Sequence, residues 1–383
     1  MKKKLAIICA SENEIPFVNK AKEMGIETHC FAWDREDKPY DSACKHIADF
    51  FHPISILDKE QILEKCKEIK IDGVMTFFND FAPPTVAYVA QGMGLPGNKY
   101  EDIIAVFNKF TQRQAYYKHG VSSPRFALAQ EGIDLSEFRY PLIVKPTDRT
   151  SAVGVTKVEN EKDLQKSIQY AQNQSFCNEA IIEEYIEGIE VSVDAISCAG
   201  EHYILAIKER ELTEGVNCSV KTAGHWPYEL PPDIQEKLKN ETKKALNAIG
   251  YHYGASNNEF RVTKDGEVFI IEVNARMAGD RSWEIMKFYN GYDIVKGMID
   301  IALGQFEAPV ITETKYAGIY YLTKQTEWVK QVIENKDKDP DIMLTEIEND
   351  ELLDLESCTS RTGYFIYQSD RKRRWGPEYA DKY

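Results

Sequence analysis

Hydrophobic and polar positions in the first hundred residues fall into a repeated alternation. The apolar runs "LAIICAS", "IETHCFAW" and "IDGVMTF" are separated by the amphipathic stretches "EIPFVNKAKEMG", closed by Gly25, and "DKEQILEKCKEIK". Short apolar runs of this kind read as strands and the stretches between them as helices. The alternation therefore predicts a parallel sheet with helices on its faces. The glycines and proline of "GLPGNKYEDI" at 94–103 interrupt the pattern, which places a domain boundary near residue 100.

Beyond that break the order changes. "YEDIIAVFNKFTQRQAYYKHG" predicts one helix ending at Gly120. Strands are predicted at "YPLIVKP", "SAVGVTKV", "AIIEEYI", "EVSVDAIS" and "HYILAIKE", with helices at "EKDLQKSIQYAQ" and "PPDIQEKLKNETKKALNAIG", whose prolines suit a helix start. After residue 305, "KYAGIYYLT" reads as a strand and "TGYFIYQS" as a late hairpin. The expected regions are thus 1–100, 101–305 and 306–383, with neither repeats nor low-complexity tracts.

The segment "NNEFRVTKDGEVFIIEVNARMAGD" carries a more specific pattern. Asp265-Gly266 favours a two-residue hairpin turn flanked by Lys264 and Glu267, because both central positions tolerate positive φ. That register sets Glu259 opposite Glu272 and Asn257 opposite Asn274, while Glu272, Asn274 and Arg276 share one face of the strand. Two carboxylates about 5 Å apart at Cβ destabilise a sheet unless positive charge lies between them. A hard divalent cation that accepts carboxylate and amide oxygens would supply it, and magnesium held by one or two carboxylates plus substrate phosphates is the commonest case. The same spacing is met by an exposed hairpin face whose charges are offset by Arg261 and Arg276.

Composition narrows the setting. The chain has 383 residues, 43% hydrophobic and 28% charged, as in ordinary soluble enzymes, with a formal net charge of -15. That charge argues against nucleic acid or an anionic membrane as partner, since both need basic patches. The start "MKKKLAIICA" resembles a signal peptide, but its apolar stretch is short and reads better as a buried strand. Eight cysteines without CxxC spacing read as reduced thiols of a cytoplasmic protein. No GxGxxG follows the first strand, so a dinucleotide site is not expected. The "DRKRRW" cluster near the end reads as solvated surface.

Other residues gain meaning from their order. In "YPLIVKPTDRTSAVGV", Lys145 ends a buried strand ahead of a loop at 147–154 with hydroxyls at Thr150 and Ser151, a layout that can place one charge and several neutral donors against a phosphate. A strand-end lysine reaching for water satisfies the same pattern, and so it is with Lys109. Around Glu183, Glu184, Tyr185 and Ile186, a link between strands offers backbone groups to a heterocycle, and Glu190 a carboxylate to ribose hydroxyls; a charged hairpin edge looks the same.

Taken in sequence, Lys109, Lys145-Pro146, Ser151 with Gly154-Val155, Glu183 to Ile186, Glu190, Glu259, and Glu272 with Asn274 and Arg276 resemble the ATP-grasp superfamily over about 101–305. Within it, "NARMAGD" and "KTAGHWPYELP" resemble carboxylate-amine ligases near the L-amino acid ligases and the carbamoyl-phosphate-synthase-like group. The resemblance implies a mixed α/β and α+β fold: an N-terminal parallel α/β domain at 1–100, a two-lobed ATP-grasp domain at 101–305 with a lid at about 122–190, and a small C-terminal α+β region at 306–383 completing the module.

It further implies that Lys109, Lys145 and Ser151 contact ATP, that Glu183, Glu184, Tyr185 and Ile186 read adenine, that Glu190 binds ribose, and that Glu259, Glu272 and Asn274 hold magnesium or manganese. Arg276 would stabilise an acyl phosphate and the tetrahedral intermediate, with His225, Gly279 and Asp280 as substrate contacts. Lys208, Arg210 and Lys221 are further cations available to an anionic substrate. The implied reaction joins a small carboxylate, an amino acid, to an amine, releasing ADP and phosphate; the alternatives are activation of bicarbonate or carbamate, phosphorylation of a small molecule, and a non-catalytic nucleotide-binding protein. The implied partners are small molecules, and a homodimer is compatible with them. Two features depart from the family pattern: the loop "TDRTSAVG" has one glycine, and "GDRSW" matches no family motif.

Overall fold

Burial of the apolar runs assembles three sheets in the computed structural model, which describes residues 2–35, 37–130, 132–150, 152–214, 219–349, 351–355 and 360–377. The first is parallel, in the order β3-β2-β1-β4, from β1 (Lys4–Ile8), β2 (Glu27–Phe31), β3 (Phe50–His52) and β4 (Gly73–Met75). In β1, Leu5 and Ile7 pack on the side of α1 (Ile15–Glu23), while Ala6 and Ile8 pack toward α2 (Lys59–Ile69) and α3 (Pro83–Met93). Both faces are covered, which is why these strands lack polar alternation.

The expected single helix at 100–120 is two: α4 (Tyr100–Val106) and α5 (Lys109–Lys118). Asn108 breaks it by capping α5, its side chain accepting from Thr111 N at 3.0 Å. An asparagine cap competes effectively with helix continuation. The break makes Lys109 the first residue of α5.

A second, antiparallel sheet has the order β5-β8-β6-β7, from β5 (Phe126–Leu128), β6 (Leu142–Pro146), β7 (Thr156–Val158) and β8 (Ala180–Glu184), with α6 (Glu161–Gln174) against it. The third sheet is antiparallel throughout, in the order β13-β12-β9-β10-β11-β14-β16-β15. Its strands are β9 (Ile189–Cys198), β10 (Glu201–Glu214), β11 (Ser219–Trp226), β12 (Gly254–Val262), β13 (Val268–Asn274), β14 (Tyr316–Leu322), β15 (Ile342–Ile347) and β16 (Gly363–Ser369). One face packs on α7 (Pro232–Ala248) through Val191, Val193, Phe260 and Ile270. The other packs on α8 (Ser282–Asn290) and α9 (Ile294–Ala302) and, through them, on the parallel sheet. A last helix, α10 (Trp328–Glu334), covers β14 and β16.

Several expectations change. "TGYFIYQS" is one strand, because it holds no internal turn and pairs on both sides, with β14 and β15. "KTAGHW" lies in strand β11, where Gly224 and Gly318 lie side by side: a Cβ on Gly318 would stand 2.5 Å from Gly224 O. The hairpin loop runs from Thr263 to Glu267, with Thr263 N donating to Glu267 O at 2.9 Å, and a bulge after Glu259 absorbs the extra residue. Glu259 still faces Glu272 and Asn257 faces Asn274. "DRKRRW" is not simply solvated: Arg373 pairs with Asp339 and Asp341, and Arg374 with Glu209 and Glu211. Among the described residues no helix is long and apolar enough to cross a membrane. Cys9, Cys30, Cys44 and Cys66 are buried free thiols, whereas Cys177 is exposed.

Candidate active site

The sheet of β5 to β8 and the eight-stranded sheet face each other across a cavity of about 260 Å³, lined by Lys109, Lys145, Tyr185, Ile186, Glu190, Glu259 and Glu272 among others. Its floor is the face of β9, β10, β12 and β13 turned away from α7. Its roof comes from β6, β8 and the loop after β6, and its back is the connection from β8 to β9.

Lys145 reaches the cavity from β6. The register of β6 on β8 lets its Nζ meet Glu183 Oε2 at 2.8 Å, while Glu183 Oε1 stands 2.8 Å from Arg113 Nε of α5. All three are buried. Burial lowers the Lys145 ammonium below its usual pKa. Burial pushes the Glu183 carboxyl up, but Arg113 and Lys145 outweigh it and hold the carboxyl below the usual range. The Glu183 side chain is therefore committed to two cations, and Arg113, one helical turn after Lys109, is a site residue that the sequence reading missed.

Lys109 ties roof to floor. Its Nζ donates to Arg149 O at 2.6 Å and lies 2.9 Å from Glu272 Oε1, while its backbone N donates to Thr147 O at 2.8 Å. Glu272 is subject to the same contest: burial raises its carboxyl, and Lys109 and then Lys145 bring it below the usual range. Opposite it, Glu259 lies 3.2 Å from Arg210 Nη1, which is also 3.9 Å from Glu190. Glu190 pairs with Arg261 as well. Each floor carboxylate thus faces a cation, and Arg210 belongs to the cavity.

At the strand's end, Asn274 Nδ2 donates to Asn257 O at 3.4 Å, and the Asn257 amide oxygen, buried beside Glu259, has no hydrogen-bond partner. Arg276 pairs with Asp80, in the loop after β4, and lines a neighbouring cavity of about 70 Å³. At the back, Tyr185 N donates to Pro141 O at 3.1 Å and its ring lies 4.5 Å from Lys157 Nζ; Glu184 accepts from Arg139 N at 3.2 Å. Ser151 lies outside the described residues.

The three candidate substrate contacts are not brought into this cavity. His225 is on the reverse face of the main sheet, 1% exposed, with Nε2 2.8 Å from Glu211 and Nδ1 2.9 Å from the Tyr367 hydroxyl. The sequence could not show that β11 is paired on both sides, with β10 and β14. Asp280 lies on the cavity's side of the sheet but pairs with Lys221, at 3.2 Å, and with Arg361 from the C-terminal region; Gly279 precedes it in open space. Asp280 and Arg281 both adopt left-handed φ, +57° and +55°. Lys208 is sealed on Asp194, with both carboxylate oxygens within 2.8 Å of its Nζ.

Residues 138–284 match the model of the ATP-grasp domain family. The family match thus covers the segment from β6 to α8, which carries Lys145, Glu190, Glu259 and Glu272. Among its curated relatives, alanine–anticapsin ligase of Bacillus subtilis is 26% identical over 304 residues, covering 70% of this chain and 63% of that protein. The C-terminal section of the carbamoyl phosphate synthase large chain of Aquifex aeolicus is 25% identical over 281 residues, covering 72% and 50%. The chain therefore spans less than two thirds of the length of these relatives.

Solved structures reproduce the whole architecture. The L-amino acid ligase from Bacillus licheniformis superposes with a TM-score of 0.77 at 22% identity over 97% of this chain and 95% of that one. The phosphoribosylglycinamide synthetase from Anaerococcus prevotii gives a TM-score of 0.77 at 22% identity over 97% and 95%. At such identities these two show that the chain shares their fold.

Proposed function

We propose that the cavity binds ATP with a divalent cation and that the protein joins a small carboxylic acid, an amino acid, to an amine through an acyl phosphate, releasing ADP and phosphate. The observation that carries this reading is the cross-strand pair Glu259 and Glu272 beneath Lys109 and Lys145. The ATP-grasp domain match over 138–284 supports ATP, and the names of an amino acid ligase and an alanine–anticapsin ligase among the similar proteins support the amide-forming outcome.

In this reading the strand link Glu184 to Ile186 meets adenine, Glu190 the ribose, and Lys109 and Lys145 the phosphates. The residues of 122–190 act as a lid, hinged where β8 gives way to β9. Glu259, Glu272 and Asn274 would hold magnesium or manganese. The donor set fits such an ion: two facing carboxylates, an amide, and a buried amide oxygen at Asn257 that lacks a partner. Among the described residues no three acidic, histidine or cysteine side chains converge on one point, so two carboxylates must be complemented by amide and phosphate oxygens. When bound, the cation neutralises phosphate charge as the γ-phosphoryl group leaves. Lys109 and Arg210 must release Glu272 and Glu259 for it to bind, which frees two positive side chains to meet phosphate oxygens.

The remaining steps follow from charge. A carboxylate attacks the γ-phosphorus, the bond to the β-phosphate oxygen breaks, and ADP departs, leaving an acyl phosphate. Arg276, freed from Asp80, stabilises the oxyanion formed when the amine adds to the acyl carbon; phosphate then leaves with its bonding electrons and the amine loses a proton. Water competes with the amine, and the loop at 147–150, pinned by Lys109 to the floor, closes the site against it.

Incubation with ATP, magnesium and paired amino acids tests the reading. ADP and phosphate appearing only with a particular pair, with a product lighter than the pair by one water, supports it. AMP in place of ADP overturns the acyl phosphate, and turnover with bicarbonate alone moves the assignment to activation of bicarbonate.

A further inference from the structure

A second cavity, about 320 Å³, adjoins the first across the Lys109–Glu272 contact. The two share Lys109, Arg149, Thr150 and Glu272, and the second is completed by the lid residue Phe176, by Leu57 and Phe81 of the parallel-sheet region, and by Tyr100 and Phe107 around α4. Glu272 and Asn274 line it, whereas Tyr185 and Ile186 line only the first. A molecule in the second cavity therefore meets the phosphoryl end of a nucleotide whose base lies at Tyr185 and Ile186.

The wall shows what such a molecule carries. Most charges around the cavity are already answered within the protein. Asp148 accepts from Phe176 N at 3.2 Å and Cys177 N at 2.9 Å, Asp80 pairs with Arg276, and Lys59 with Glu60 at 2.9 Å. The Arg149 guanidinium lies over the Phe176 ring, 4.3 Å from its centroid. What is left in water is apolar: Leu57, Phe81 and Phe176 are 58%, 54% and 69% exposed, and they converge on the cavity from three separate segments. Scattered apolar residues are ordinary on a surface, but three large ones around one cavity mark a place where apolar area is to be covered.

We infer that this cavity is the subsite for a co-substrate amino acid with a large apolar side chain, aromatic or branched aliphatic, whose reacting group lies toward Asn274 and Glu272. The inference rests on the ATP reading for the direction of the reacting group, while the side-chain preference rests on the wall alone. Phe81 and Phe176 act by contact with that side chain and set specificity.

Calorimetric titration decides it, with phenylalanine, leucine, alanine, glutamate and lysine added to the full chain in the presence of magnesium and a non-hydrolysable ATP analogue. Phenylalanine or leucine should bind at least about tenfold more tightly than alanine, the minimum expected from burying one large apolar side chain. Phe81→Ala and Phe176→Ala should each erase most of that ratio and leave the analogue's affinity unchanged, which also shows that these surface variants remain folded. Tighter binding of alanine, glutamate or lysine overturns the inference, and so does an unaltered ratio in both variants. If the analogue itself fails to bind, the ATP reading is what falls, and the same titrations without analogue decide the side-chain preference.

Discussion

Strand β10 carries charge on both faces, and the two faces differ in what that charge can do. Toward the cavity, Arg210 holds Glu259 and Glu190 in a cluster whose members remain partly exposed, Arg210 at 24% and Glu259 at 33%. On the reverse face Glu209 and Glu211 meet Arg374, Glu211 also meets His225, and His225 meets Tyr367, under the aromatic cover of Tyr320 and Trp375. The density of charge is similar. The carboxylates are about equally exposed, Glu211 at 32%, and what separates a candidate site from a structural network is the partner: Arg210 stands partly open beside the cavity, whereas Arg374 and His225 are 11% and 1% exposed.

The largest separation of the two faces is expected from Glu272→Gln. It removes one of two facing carboxylates and should lower ATP-coupled turnover by about 1,000-fold or more, with a cooperative thermal transition retained. Steady-state ADP release and a melting curve on the same sample check both halves. Turnover within about tenfold of the parent would remove Glu272 from the metal set.

The reverse face should answer in the opposite sense. Arg374→Ala leaves Glu209 and Glu211 without their shared cation and should cost about 3 kcal/mol in urea unfolding, while affinity for an ATP analogue changes less than about threefold. A large loss of analogue affinity in the folded variant would mean that the faces are coupled. Arg276→Ala is a smaller and cleaner perturbation of the front: ligation should fall about 100-fold with little change in ATP affinity. Unchanged ligation would dismiss Arg276 from the chemistry.

The same contrast explains what the sequence could show. The β12–β13 floor was legible because its information is local: period-two alternation, a turn dipeptide, and four polar residues at positions that a single hairpin brings together. Lys145 was legible as a charge at a strand end and Lys109 only as a lysine within a helix, because the Asn108 cap that starts α5 was hidden inside an apolar-periodic run. The pairing of Glu183 with Arg113 was hidden, because it depends on how α5 meets β8. The surroundings of His225 and Asp280 were hidden as well. Tyr367, which meets His225, and Arg361, which meets Asp280, come from the last stretch of chain, and nothing in "KTAGHWPYELP" states which neighbour β11 will have on its far side. Phe81 and Phe176 were passed over for a related reason: each is an isolated aromatic in a loop until the lid and the parallel sheet are set against each other.

The smallest effect sharpens the comparison through pH. Burial is the main cause that lowers the His225 imidazole to about 4; Arg374 and Lys221 push the same way, and Glu211 opposes them. The ring is therefore neutral in the native state at neutral pH, donating from Nε2 to Glu211 and accepting at Nδ1 from the Tyr367 hydroxyl. An unfolded chain protonates histidine near pH 6.5, so between about 6.5 and about 4 the unfolded state binds a proton that the native state does not. Stability must then rise with pH across that window, and acidification must erode it. His29, His52 and His202 are lowered in the same direction, so the total slope belongs to all four. His225→Gln, whose side chain offers both a donor and an acceptor but does not titrate, isolates one share. Its unfolding free energy should fall less steeply than the parent's between pH 7 and pH 5, by up to one proton's worth of slope, with affinity for an ATP analogue at pH 7 unaltered. Equal slopes would show that the imidazole is reached by solvent, and the back face would lose the sealed character that distinguishes it from the front.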